Sequence, residues 1–184
     1  MTKKIKTGDR SHQQTQKSRR GMQIGISFTV IAVALVIIFS SKKTATDSTG
    51  SPMAPMFKKQ GELTITKNNG NPIVTIDIEI ADDESKREIG MMGRPTMEER
   101  QGMFFIFEEE YIGSFWMKNT ILPLDIIFIN KLGEIITIHK NAVPFSEQTY
   151  QATGLTLFVL EVNADFSDKY GIAEGDRISW KRFK

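Results

Sequence analysis

The chain has 184 residues, 40% of them hydrophobic and 25% charged, and no cysteine. That length holds one ordinary domain plus a short extra segment, and the composition excludes a wholly disordered or multi-spanning protein. Without cysteine there is no disulfide, thiol nucleophile, thiolate metal site or lipobox acylation, so a domain in an oxidising space must be held by its core alone.

Residues 1–21 carry Lys3, Lys4, Lys6, Arg10, Lys17, Arg19 and Arg20 against Asp9 alone, a net +6 that leaves −4 for the remainder of the chain. The basic pI of about 8.8 therefore comes from the tail, and the acidic remainder argues against nucleic acid as a partner. Residues 22–40, MQIGISFTVIAVALVIIFS, follow without a charge. At about 1.5 Å per residue they reach across a hydrocarbon core of about 30 Å, which predicts one transmembrane helix. The run has no polar face of the kind a helix on a soluble core would keep. Its basic flank places the tail in the cytoplasm and sends the rest of the chain across the membrane. A cleaved signal peptide is the competing reading. The apolar run exceeds the usual length of roughly 7 to 15 residues, and the exit Phe-Ser-Ser-Lys-Lys has no small-x-small site, so a retained single-pass anchor is expected.

Residues 41–60 are rich in Ser, Thr, Lys, Ala and Pro, with Pro52 and Pro55, and read as a flexible linker to an extracytoplasmic domain over 61–184. Ile73 to Ile80 alternates, with Val74, Ile76, Ile78 and Ile80 on one face, and predicts a half-buried strand. Glu62 to Lys67 is its expected hairpin partner through Asn68-Asn69-Gly70-Asn71. Asp82 to Met92 changes to helical period, with Asp82 as the expected cap and Gly90 and Gly93-Arg94-Pro95 marking the stop. Further strands are expected at Met103 to Phe107, Ser114 to Met117, Leu124 to Ile129, Glu134 to Lys140 and Leu155 to Val162. A helical piece over Ala164 to Tyr170 and a last strand over Arg177 to Phe183 complete the chain. Leu124 to Ile129 is apolar on both faces apart from Asp125, as in a sheet covered on both sides or rolled up. The expected fold is mainly β: a compact antiparallel sandwich or barrel-like domain with one or two short helices.

Several phrases stand in order along this domain: Arg87 to Arg94 (REIGMMGR), Gly102 to Phe107 (GMFFIF), Phe115 to Thr120 (FWMKNT), Pro123-Leu124-Asp125, and Leu160 to Ala164 (LEVNA) with Gly171 and Gly175-Asp176. Together they resemble domain of unknown function 192 over roughly residues 62 to 183. The resemblance implies a small β domain, often exported or membrane-anchored, and no particular reaction. Ala164-Asp165 departs from it, since Ala-Gly is common there, and the start of the following helix is where a difference is expected.

The stretch Phe115 to Asp125 concentrates an aromatic, a cation, an amide, a hydroxyl and a carboxylate. Asp125 and Glu161 both lie in apolar strands and must be paired, hydrogen-bonded or at a rim. Arg94, Lys118, Asn119 and Asn163 are candidate partners, with Thr120 alongside. Three readings follow. Asp125 and Glu161 could act as a general acid and base on envelope polysaccharide, with Trp116 as a sugar platform. Trp116, Arg94, Lys118 and the carboxylates could line a pocket for a polar ligand such as a glycan. The same groups could form a buried network that fixes strand register. Only His139 lies in the domain, His12 being in the tail, so a multi-histidine zinc centre is excluded by counting. An oxygen-rich calcium site at Asp82, Asp83 or Asp176 has no calcium-loop pattern behind it. The irregular methionines read as core filler rather than copper ligands. No phosphate loop, nucleophile elbow or dinucleotide fingerprint is present, and no cofactor is expected. The sequence thus points to a membrane-anchored binding or accessory module for an envelope component, a glycan or a protein, with a polysaccharide hydrolase as the alternative.

Overall fold

The computed structural model describes residues 56–184; the basic tail, the apolar run and the linker up to residue 55 lie outside the described residues. Among the described residues no helix is long and apolar enough to cross a membrane. The elements are β1 (Gly61–Thr66), β2 (Pro72–Ala81), α1 (Glu84–Ile89), β3 (Gln101–Phe115), β4 (Leu124–Ile129), β5 (Ile135–Ala142), β6 (Tyr150–Asn163), α2 (Phe166–Tyr170) and β7 (Arg177–Arg182).

All seven strands belong to one sheet in the order β5-β4-β6-β3-β2-β1-β7, curled into a half-barrel. Of the two expected forms this is the barrel-like one, with no second sheet among the described residues to make a sandwich, and the expectation of a purely antiparallel sheet is corrected in one place, where β2 pairs with β3 in parallel. The parallel pair arises because α1 and the loop after it carry the chain back before β3 begins, a crossover that a tight turn cannot make. The edge strands approach each other at one end of the curl. Ile135 N–H donates to the Asp176 carbonyl at 2.8 Å and Ile178 N–H to the Gly133 carbonyl at 2.7 Å, beside a bridge between Glu134 and Arg177.

Alternation within the strands separates two cores. The inner face collects Leu63, Ile65, Ile76, Ile78, Phe104 and Leu160 with others from β4 and β5, and Phe166 and Ile172 join it after β6. The outer face collects Met103, Phe105, Leu124, Ile126, Phe128 and Val159, covered by Met91 and Met117 from the loops. Every residue of β4 is buried because the strand feeds both cores, as its two-sided apolar pattern requires.

Local boundaries differ where tertiary contacts outweigh propensity. The two stretches expected at 103–107 and 114–117 are parts of the single long β3, whose pairing with β6 shifts between Ile106 and Tyr111, around the acidic run Glu108 to Glu110. Helix α1 is shorter than expected and is capped by Asp83, whose Oδ1 accepts the Lys86 N–H at 2.9 Å. Asp82 instead binds the side chains of Lys86 at 2.8 Å and Arg182 at 2.6 Å. Lys58 and Gln60, expected in the linker, hydrogen-bond to the domain: Lys58 N–H to Glu79 Oε1, and Gln60 N–H to the Ile78 carbonyl.

Candidate functional site

Cross-strand register lines up Glu79, Met103, Glu161, Ile126 and His139 in one row across the outer face. Neighbouring strands lie about 4.8 Å apart, so the row places two buried carboxylates on either side of Met103. The end of α1 crosses the sheet close by. Gly90 takes φ +48° there, and a Cβ on it would come within 3.2 Å of the Phe105 ring, so only glycine permits both the turn and the approach.

Between α1, β3 and the loop after β3 lies a cleft of about 460 Å³. Phe105, Phe107 and Phe115 supply its aromatic wall, and Trp116, 47% exposed, stands at its rim. Glu161 lines the cleft yet is itself only 4% exposed. Its Oε2 has no hydrogen-bond partner, and no ion pair among the described residues reaches it. Burial pushes its carboxyl up to about 8, because a charged form would lack both water and a counter-ion. At pH 7 the group is therefore held mostly as the neutral acid. Burial also pushes the Tyr111 hydroxyl on the same wall up to about 12.

Glu79, in the same row, meets the opposite circumstances. Arg94 forms an ion pair with its Oε2, both side chains being nearly buried, and Lys58 N–H donates to its Oε1 at 2.6 Å. The chain thus neutralises one outer-face carboxylate from its own residues and leaves the other facing an aromatic cleft.

The residues singled out in the sequence separate accordingly. Trp116, Thr120 and Glu161 line the cleft. Arg94 is beside it, engaged with Glu79 rather than with Asp125 or Glu161. Lys118 lies over the Trp116 ring with Nζ 5.0 Å from its centroid, in cation–π contact. Asn119 takes a left-handed turn, φ +56°, that lets its carbonyl accept the Gly93 N–H at 3.0 Å. Asn163 holds the loop before β3, its Nδ2 donating to the carbonyls of Met97 at 3.0 Å and Glu98 at 3.2 Å.

Asp125 is elsewhere. It pairs in register with Val162, while Glu161 pairs with Ile126; laterally paired residues point to the same face, so the two carboxylates point to opposite faces of the sheet. Asp125 Oδ1 accepts the Asn141 N–H at 2.9 Å and Oδ2 the Ser167 N–H at 2.8 Å. It thereby caps α2 from another strand, a task Asp165 does not perform at its own N-cap position. The expected pairing of Asp125 with Glu161 does not occur, and with it goes the acid–base arrangement for polysaccharide cleavage. The carboxylates weighed as calcium ligands are engaged by cations: Asp82 as described, Asp83 by Lys86 at 2.9 Å and Asp176 by Lys67 at 3.0 Å. Among the described residues no group of three metal-ligating side chains comes together.

Sequence reasoning missed Phe105, Phe107 and Gly90 as parts of a site, whereas Phe115 opens the stretch it singled out. Period two in β3 already sets Met103, Phe105 and Phe107 on one face, and that was the available signal. Nothing in the local pattern says that α1 would leave that face partly open.

Chemically, the cleft offers ring faces, a rim indole and one deep carboxyl that can donate as an acid or, once ionised, serve as a counter-ion. The family described as "Uncharacterized ACR", domain of unknown function 192, matches residues 64–180. A structure from Sinorhizobium meliloti 1021, described as a candidate transcription regulator, is 37% identical with a TM-score of 0.64, covering 68% of this chain and 98% of that one. A protein of unknown function from Novosphingobium aromaticivorans DSM 12444 is 34% identical with a TM-score of 0.62, covering 65% and 84%. No curated protein matches the chain.

Proposed function

The chain belongs to the domain of unknown function 192 family, and from that footing we propose that it is a ligand-binding module, held at the membrane by its N-terminal apolar run, with the cleft at Glu161 as its site. The observation that carries this reading is the buried carboxylate without a partner on the wall of an open aromatic cleft. Buried polar groups are normally satisfied within the fold, so a lone one at a cavity of small-molecule size favours a ligand as the partner. An extracytoplasmic domain meets envelope components, and ring faces at the cleft suit the C–H faces of a glycan. The description of the Sinorhizobium protein as a transcription regulator finds little support in this domain, where 20 acidic residues stand against 15 basic ones over 56–184, a poor match to a phosphate backbone.

The test is a melting-temperature screen of the full chain in detergent against envelope oligosaccharides and fragments of them. A ligand at about a hundred times its Kd stabilises the native state by about 2.7 kcal/mol. Shifts that disappear in Trp116→Ala and Glu161→Gln support the cleft as the site. No shift with any ligand, or shifts untouched by both substitutions, would overturn it.

A further inference from the structure

The walls of the cleft stand at steep angles to one another. Phe105 and Phe115 meet at 88° with centroids 5.0 Å apart, and Phe107 and Phe115 at 84° and 6.4 Å. These are edge-to-face contacts, so the rings brace one another into a rigid apolar wall beside Glu161, with Phe105 buried behind it. Two of the chain's own cations already lie on rings that line the cleft: the Arg87 guanidinium 5.2 Å from the Phe107 centroid and Lys118 Nζ 5.0 Å from that of Trp116. Glu84 and Glu88 of α1 add negative charge at the mouth, and neither forms an ion pair among the described residues. Across the same row, Glu79 shows how this face accommodates a buried carboxylate: with a cation, Arg94.

We propose that the cleft selects a ligand bearing a positively charged amino group, alkyl- or quaternary ammonium, which the unpartnered Glu161 receives as counter-ion against the aromatic wall of the cleft. This rests on the reading of the cleft as a binding site and narrows it from glycans in general to ligands that carry an ammonium group. Other charged groups around Glu161 leave room for that cation. Arg87 is neutralised by Glu108 at 3.0 Å and donates to the Ile106 carbonyl at 2.9 Å. Arg94 is paired with Glu79, and His139, at the far end of the row beyond Ile126, bonds the Gln151 carbonyl at 2.8 Å. Lys118 is held on Trp116, and Tyr111 stays neutral.

Binding of a cation requires the Glu161 carboxylate, whereas the free protein holds the acid up to about pH 8. Affinity for a probe of permanent charge must therefore rise with pH, about tenfold per unit below that value, and level above it. The experiment is calorimetric titration of the full chain in detergent with tetramethylammonium and, in parallel, with a neutral hexose oligomer, from pH 6 to 9. The expected result is a tetramethylammonium affinity that climbs at least tenfold between pH 6.5 and 8 and is lost in Glu161→Gln. A flat profile for tetramethylammonium beside binding of the neutral oligomer overturns the charge selectivity and leaves the binding module standing. Failure of both probes at every pH overturns both. The wild-type profile decides the matter even if the Gln variant folds poorly.

Discussion

Asp125 and Glu161 sit on adjacent strands, one residue apart in register, and both are buried to within 4% of full enclosure. On the inner face Asp125 accepts two backbone N–H groups and holds two segments together. On the outer face Glu161 has an oxygen with no partner and a cleft beside it. Burial is the same for the two residues; satisfaction is what differs. The contrast shows that a carboxylate in an apolar strand becomes a structural part when the fold supplies donors, and a candidate for outside chemistry when the fold withholds them.

The largest expected effect breaks the inner half of the comparison. Asp125→Ala leaves the Ser167 and Asn141 N–H groups without their acceptor and removes the cap of α2. Hydrogen bonds to a charged group contribute about 1.5 to 3 kcal/mol each, so a loss of about 3 to 5 kcal/mol is expected, a large share of a typical stability of about 5 to 15 kcal/mol. Urea unfolding measures it as a lowered midpoint at unchanged slope. A loss below about 1 kcal/mol would mean that Asp125 is not the structural member of the pair.

The outer half predicts a gain instead. Glu161 has its folded value raised from 4.5 to about 8. The associated stability is fully present below about pH 4.5 and is lost as pH rises through about 8, since the unfolded chain gives up the proton more readily. Glu161→Gln removes that dependence. It should match the wild type near pH 4 and exceed it near pH 9 by about 4 to 5 kcal/mol, the order set by a shift of this size for an enclosed group. Equal stabilities at both pH values, read by thermal melts, would show that Glu161 has a partner after all.

The row of strands was largely legible from alternation. Leu124 to Ile129 reads as a two-sided buried strand and is one, and the 61–81 hairpin follows from its Asn-Gly turn. The pairing of Asp125 with Glu161 was not legible, and the reason is physical. Period two tells which residues of one strand share a face, but matching faces between strands depends on register, and a slip of one residue reverses the answer. The one departure from the family phrases also became interpretable only in three dimensions. Asp165 takes φ +65°, a left-handed conformation that glycine enters freely and aspartate tolerates, with the cap supplied by Asp125. The cleft itself depends on where α1 crosses the outer face, which no local pattern in β3 or β6 records.

Trp116→Ala is the smallest expected change in stability and separates the rim from the wall. The indole is 47% exposed and carries Lys118 on its ring, whereas its neighbour Met117 is fully buried in the outer core. Removing an aromatic from a packed core costs about 3 to 5 kcal/mol; removing this half-exposed one, together with a surface cation–π contact of about 0.5 to 1 kcal/mol, should cost about 1 kcal/mol. Met117→Ala, by the same reasoning, should cost about 2 to 5 kcal/mol. Chemical denaturation of the two variants side by side therefore tests whether the FWMKNT phrase divides, within two residues, into one side chain that holds the fold and one that is free to meet a ligand. Equal losses would place Trp116 in the core with Met117 and remove the rim from the proposed site.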